Sequence, residues 1–208
     1  METIVSYFAN PILQVSLDLN SELLTEFALQ IQNQDKDGEH ETNIGGWQSK
    51  DISEEKHKEF IKLKKEINKY LQVYHLETFK EVVFKEDTIQ SLSRMWVNIN
   101  KEHSYNEWHT HPFSTFSGVY YIKHDGFIES GDILFKNPKA LSMEGVHWPQ
   151  GLMETPNVIT AGYINITPKS NMLILFPSWL EHKVEINRKK NSRISLSFNS
   201  LITPKRTE

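Results

Sequence analysis

Hydrophobic and polar positions divide the chain into two stretches of different rhythm. Residues 1–18 read as extended: Ile4, Val5, Tyr7 and Phe8 are β-formers, Asn10-Pro11 interrupts them, and Leu13, Val15 and Leu17 alternate. Asn20 is a good N-cap, and Leu23, Leu24, Phe27, Ala28 and Ile31 then recur at helical spacing. Residues 33–50 are polar, contain Gly45-Gly46 and read as a loop. Asp51 with Glu54 resembles a capping box, which predicts a second amphipathic helix. Its apolar face carries Phe60, Leu63, Ile67, Tyr70, Leu71 and Tyr74, and its Lys- and Glu-rich face is a solvated surface.

After about residue 80 the period changes. Short β-prone runs at 82–84, 92–99, 116–122, 133–135, 158–166, 172–176, 184–186 and 194–198 are separated by turn residues. Many short strands after two helices predict an antiparallel barrel or sandwich with the helices packed outside. No linker, repeat or low-complexity tract divides the chain. It reads as one domain over 1–208, with an N-terminal strand and two supporting helices in 1–80 and a β core in 81–200. The longest irregular stretch, 136–170, includes Pro138, Pro149, Gly151 and Pro156, and reads as a lid or substrate loop.

Composition narrows the chemistry. The 208 residues suffice for one sizeable core, with 38% hydrophobic and 24% charged residues. A net charge of −4, with no basic stripe or nucleic-acid motif, gives no indication of a nucleic-acid partner. The absence of cysteine excludes disulfides, thiolate metal sites and cysteine nucleophiles. The N-terminus shows no signal peptide and no run of about 18 apolar residues occurs, so a cytoplasmic protein without a membrane partner is expected.

Nine histidines are present. His57 and His75 sit in or at the end of the second helix, where surface roles are the default, and His40 and His124 lie in polar surroundings. His103 and His147 carry no clear assignment. His109 and His111 differ, because residues i and i+2 of a strand share a face and their imidazoles can converge on one ion. Pro112 ends the pairing there, so the strand finishes at the site. His182 follows an apolar strand and a Pro177-Ser178 turn, a costly place for an imidazole unless it is paired or ligating. Three imidazoles on one side of a metal leave positions open for substrate and oxygen.

Arg193 lies eleven residues after His182, in a strand where Arg193, Ser195 and Ser197 alternate with Ile194, Leu196 and Phe198. If the polar set faces a lumen, Arg193 needs an anion and its fork matches a carboxylate, with Ser195 as a second donor. The other reading is an exposed strand arginine. Asn98 and Asn100 alternate with Val97 and Ile99 and also suit a lumen. Trp96, Trp108 and Trp179 read as packing or pocket walls.

Taken together, His109-Thr110-His111, His182, Arg193 and Ser195 resemble the 2-oxoglutarate/Fe(II)-dependent dioxygenases, in their prolyl-4-hydroxylase-like branch. A narrower group of small bacterial and phage oxygenases is similar through His111-Pro112, Ser117-Gly118-Val119-Tyr120-Tyr121, Phe176-Pro177-Ser178 and the closing residues 193–199. The resemblance covers roughly residues 92–200. It implies a double-stranded β-helix, a jelly-roll or cupin-like barrel, that holds Fe(II) through His109, His111 and His182. It also implies that 2-oxoglutarate chelates the metal and meets Arg193 and Ser195 with its distal carboxylate. Tyr121 is a further candidate donor to 2-oxoglutarate, or a core tyrosine, and Asn98 a candidate lumen contact. O2 is the co-substrate, and the primary substrate is a protein side chain or a small molecule. The family's usual carboxylate ligand is replaced by His111, and Glu107 or Asp132 are alternative third ligands. His147-Trp148 is a candidate substrate contact. A cupin-type three-histidine enzyme without 2-oxoglutarate, a zinc hydrolase or lyase, and a non-catalytic ligand-binding barrel are the competing readings.

Overall fold

The computed structural model of the protein describes residues 10–39, 41–139, 154, 155, 157 and 160–205. Two antiparallel sheets face each other. The larger runs β1 (Leu13–Ser16), β9 (Met172–Pro177), β6 (Phe116–Lys123), β11 (Arg193–Pro204), β4 (Thr88–Asn100) and β3 (Trp47–Gln48). The smaller runs β2 (Asn43–Ile44), β5 (Tyr105–His109), β10 (His182–Val184), β7 (Ile133–Lys136) and β8 (Tyr163–Ile166). This is the double-stranded β-helix, with two helices packed outside the larger sheet.

Strand alternation sorts side chains between two clusters. Ile194, Leu196 and Phe198 of β11 point outward with Met95 and Val97 of β4. There they meet Leu24, Phe27 and Ala28 of α1 (Ser21–Gln34), and Phe60, Leu63, Ile67, Leu71 and Tyr74 of α2 (Lys58–Thr78). Asn20 caps α1, its side-chain oxygen accepting from the amides of Glu22 and Leu23 at 3.1 Å. The Tyr74 hydroxyl donates to the Pro11 carbonyl at 2.7 Å and ties α2 to the N-terminal segment. Between the sheets, Ile133, Phe135, Ile174, Phe176 and Leu180 form a second cluster around one flank of the interior.

The structure departs from the pattern reading in several places. Residues 33–50 are not simply a loop: β2 and β3 form there around Gly45-Gly46, and each joins a different sheet. Gly45 has φ +72°, and a Cβ on Gly46 would lie 2.5 Å from Asn43 Oδ1, so the turn depends on both glycines. The Asp51–Glu54 capping box does not start α2, which begins at Lys58 after His57. Asp51 instead accepts from the amides of Ser53 and Met95. The run at 82–84 is not a strand, and Val83 is 95% exposed, so no sheet face covers it. The strand expected over 158–166 forms at Tyr163–Ile166. Most of the expected 136–170 lid, including His147-Trp148, and the extended run before Asn10 lie outside the described residues. Among the described residues, no helix is long and apolar enough to cross a membrane.

Two histidines read as surface residues, and one read as lying in polar surroundings, are packed. His57 stacks on Phe27 with ring centroids 4.5 Å apart, and His75 contacts Phe79 and Phe84 at about 5 Å. His124 is 6% exposed and packs edge-on against Tyr121.

Candidate metal and cosubstrate site

β5 and β10 are adjacent antiparallel strands, and their register sets His182 directly opposite His109. Facing residues on such a ladder share a side, so both imidazoles enter the interior with centroids 4.3 Å apart. β5 ends at His109, and His111 lies two residues beyond it. The His111 amide donates to the Ser178 carbonyl at 2.9 Å, which ties it to the Pro177-Ser178 turn before His182. The His111 ring then lies 5.0 Å from His109 and 5.1 Å from His182. One nitrogen from each residue lies within 4.8 Å of the others, close enough for a single ion to be shared. Glu107 and Asp132 are not in this group. Glu107 is exposed, and Asp132 is buried with Oδ2 accepting from Asn165 Nδ2 at 2.8 Å.

The imidazoles are held neutral, the state in which they could ligate a metal. His109 Nδ1 donates to the Glu107 carbonyl at 2.6 Å, and His182 Nδ1 donates to the Leu180 carbonyl at 2.9 Å. Each bond fixes the tautomer that leaves Nε2 as the free lone pair. Burial lowers the His109 pKa, against the opposing pulls of the Glu107 carbonyl and the Glu41 charge. Burial, with His109 and Arg94 nearby, pushes His111 down to about 3. Burial beside His109 and His111 holds His182 well below its ordinary value. A cluster of uncharged imidazole lone pairs facing one point suits a divalent transition metal.

The same cavity, of about 280 Å³, holds the second group of residues. Arg193, Ser195, Ser197 and Asn199 of β11 line it, along with Asn98 of β4 and Tyr121 of β6. Arg193 is 2% exposed, and burial lowers its pKa to about 10. Its Nη1 donates to the carbonyls of Ser130 (2.9 Å), Glu185 (3.2 Å) and Gly131 (3.4 Å). Its Nη2 and the Tyr121 hydroxyl are buried without a partner. Two such orphans on residues that line one cavity call for an acceptor, and a carboxylate suits both. Asn98 is already engaged, donating to Ser197 Oγ at 3.2 Å and accepting from Asn43 Nδ2 at 3.3 Å. Ser195 lies opposite both Asn98 and Tyr121 in register.

Several residues of the site had no signal in sequence. Gly131 has φ +96°, and a Cβ there would lie 2.0 Å from Arg193 Nη1. Glu41, Thr42 and Gln48 reach the cavity from the N-terminal segment, and Arg94 and Asn106 complete that wall beside Trp96. Of the three tryptophans expected as packing or walls, Trp96 is a wall 5.7 Å from His111, while Trp108 and Trp179 are 38% and 57% exposed.

Residues 94–199 match a family described as "Putative 2OG-Fe(II) oxygenase". Solved structures similar to this chain include a prolyl-4-hydroxylase from Pseudomonas putida, at 15% identity and TM-score 0.58, covering 95% of this chain and 94% of that one. The viral collagen prolyl hydroxylase vCPH from Paramecium bursaria Chlorella virus-1 is similar at 13% identity and TM-score 0.56, over 91% and 94% of the two chains. HygX from Streptomyces hygroscopicus, with nickel and 2-oxoglutarate bound, is similar at 11% identity and TM-score 0.57, over 92% and 82%. At these identities the likeness is one of fold. No curated protein matches the chain in sequence.

Proposed function

The chain belongs to the 2OG-Fe(II) oxygenase family, and from that premise we propose that His109, His111 and His182 hold the iron while Arg193, Tyr121 and Ser195 hold 2-oxoglutarate. The protein is an Fe(II)- and 2-oxoglutarate-dependent oxygenase. The reading proposed here is a hydroxylase of a protein side chain or small molecule. The observation that carries the residue assignment is the shared cavity. Three neutral imidazoles converge on one point there, and a guanidinium with an unmet donor stands in the same enclosure. Those two features suit the two ends of a metal-chelating diacid.

When bound, the iron and 2-oxoglutarate together supply the oxidising power, with 2-oxoglutarate converted to succinate and carbon dioxide as the substrate is oxidised. The protein's part is placement. His109 and His182 keep their lone pairs available because their Nδ1 protons are committed to backbone carbonyls. Arg193 is held by three carbonyls so that its remaining face presents to the cavity at little entropic cost. Asn98, expected from sequence as a cosubstrate contact, lines the cavity with its amide spent on Ser197, so it braces this wall. Phe176, Ile133 and Val184 make the adjoining wall apolar, which keeps water from the cosubstrate carboxylate and strengthens its pairing. Cupin-type chemistry without 2-oxoglutarate would leave the Arg193 donor unexplained.

The test is succinate formation from 2-oxoglutarate by the purified protein supplied with Fe(II) and O2. Turnover that requires all three and disappears in His182→Ala supports the assignment. Turnover that survives in His182→Ala would show that the iron is held elsewhere.

A further inference from the structure

Cosubstrate residues account for one side of the cavity only. Across the larger sheet, one row of inward-facing residues reads Tyr121, Ser195, Asn98 and Gln48, on four successive strands. Strands lie about 4.8 Å apart, so Gln48 stands about 14 Å along the sheet from Tyr121. A ligand held at Arg193 and Tyr121 therefore leaves the Gln48 side free.

That side has a built character. Gln48 is 2% exposed, lines the cavity, and its Nε2 is buried without a partner. An unmet buried amide donor is costly, and an acceptor on a ligand would relieve that cost. At the outer end of the same wall, Arg94 donates from Nη1 to Glu41 at 3.0 Å and from Nη2 to Glu39. Its guanidinium stacks over Trp96, 5.3 Å from the ring centroid, and Trp96 adjoins His111. Two carboxylates against one guanidinium leave an excess negative charge at the rim. Glu41, Arg94 and Trp96 line the same cavity as His109 and His111, so this rim borders the metal histidines. Glu41 is 50% exposed and its pairing is solvent-screened, so it can take another cation at little cost.

We propose that this wall is the primary-substrate subsite and selects a cationic substrate. The substrate carries a hydrogen-bond acceptor on the end that enters toward Gln48, and an ammonium or guanidinium several bonds behind it, held at the rim by Glu41. This rests on the oxygenase reading and deepens it by naming the substrate's chemical class. Glu41 and Gln48 lie outside the residues matched to the family, so the selecting groups come from this chain's own N-terminal segment.

Three probes of equal length separate charge from shape: 5-aminopentanamide (cation), hexanamide (neutral) and 5-amino-5-oxopentanoate (anion). Binding is measured by calorimetry on full-length protein loaded with Zn(II) and saturating 2-oxoglutarate, after the 2-oxoglutarate affinity of the same sample has been recorded. The cation is expected to bind at least about fivefold tighter than the neutral probe, with the anion weakest. Glu41→Gln removes that preference and Glu41→Arg inverts the order. Gln48→Leu weakens the cationic and neutral probes by a common factor and keeps their order. Equal binding of the three, no binding of any, or a cation preference that persists in Glu41→Gln overturns the inference. If 2-oxoglutarate itself fails to bind the metal-loaded protein, the oxygenase site assignment falls and takes the inference with it. If 2-oxoglutarate binds and the cation preference is missing, only the inference falls.

Discussion

His109 and His182 are directly opposed residues of one antiparallel ladder, and each donates its Nδ1 proton to the carbonyl two residues before it. The same local device is thus used twice on neighbouring strands. It points two Nε2 lone pairs into one space without any further side chain. Removing either imidazole leaves the ladder intact but takes away one of the three proposed metal ligands. His182→Ala is expected to lose more than about 100-fold in affinity for Mn(II) or Fe(II), measured by calorimetry under anaerobic conditions. 2-Oxoglutarate binding that depends on the metal should be lost with it.

In the proposed site Arg193 meets the other end of the cosubstrate. Its loss removes a charge-assisted pair in a buried setting, worth about 2–5 kcal/mol. Arg193→Ala should therefore weaken 2-oxoglutarate by at least about 30-fold in metal-loaded protein, while metal affinity in the absence of 2-oxoglutarate changes little. Arg193→Lys should recover part of the loss, because it restores the charge and not the fork. Equal losses of metal and cosubstrate in Arg193→Ala would contradict this division of roles.

Gly131 sets the Arg193 side chain without touching a ligand. A Cβ there would sit 2.0 Å from Nη1 and 2.4 Å from the Glu185 carbonyl, on a backbone at φ +96°. Gly131→Ala should destabilise the fold by about 1–3 kcal/mol from overpacking, with backbone strain in addition. It should also weaken 2-oxoglutarate binding. Urea unfolding and cosubstrate titration check the two effects together.

His124 contributes its own share of the pH dependence. Burial lowers its pKa, opposed by its bond to the Gly131 carbonyl and reinforced by the Arg193 charge. Its Nδ1 accepts from the Gly126 amide at 3.0 Å, which requires the neutral ring. The unfolded chain, with an ordinary imidazole near 6.5, binds this proton more readily than the folded one. Stability is therefore fully present above about pH 6.5 and falls as pH drops below it. His124→Gln, which can keep both hydrogen bonds, should show a shallower loss of melting temperature between pH 6.5 and 4.5. Identical slopes would remove His124 from the account.

Much of this architecture was legible because it is periodic. The spacing of Phe60, Leu63, Ile67 and Leu71 identified α2, and the alternation along β11 separated Arg193 and Ser195 from Ile194, Leu196 and Phe198 before either face was seen. The short elements were not legible in the same way. β2 and β3 have two residues each, too few to display a period, and their existence depends on pairing with β5 and β4. The run at 82–84 had the right residue types and no partner. Arg94, Glu41 and Gln48 come together only through tertiary folding, so their spacing in sequence carries no pattern. His124 reads as polar in sequence because its neighbours Lys123 and Asp125 are charged, yet its own ring turns inward beside Tyr121.

The central claim is that one iron held by His109, His111 and His182 shares its cavity with 2-oxoglutarate held by Arg193. Anaerobic titration of Fe(II) and then 2-oxoglutarate, followed by visible absorption, tests it most directly. A weak charge-transfer band that appears only when both are present, saturates at one equivalent of each and is missing in His182→Ala is the predicted result. A wild-type protein that binds Fe(II) through these histidines yet gives no band with saturating 2-oxoglutarate, and no succinate in air, would contradict it.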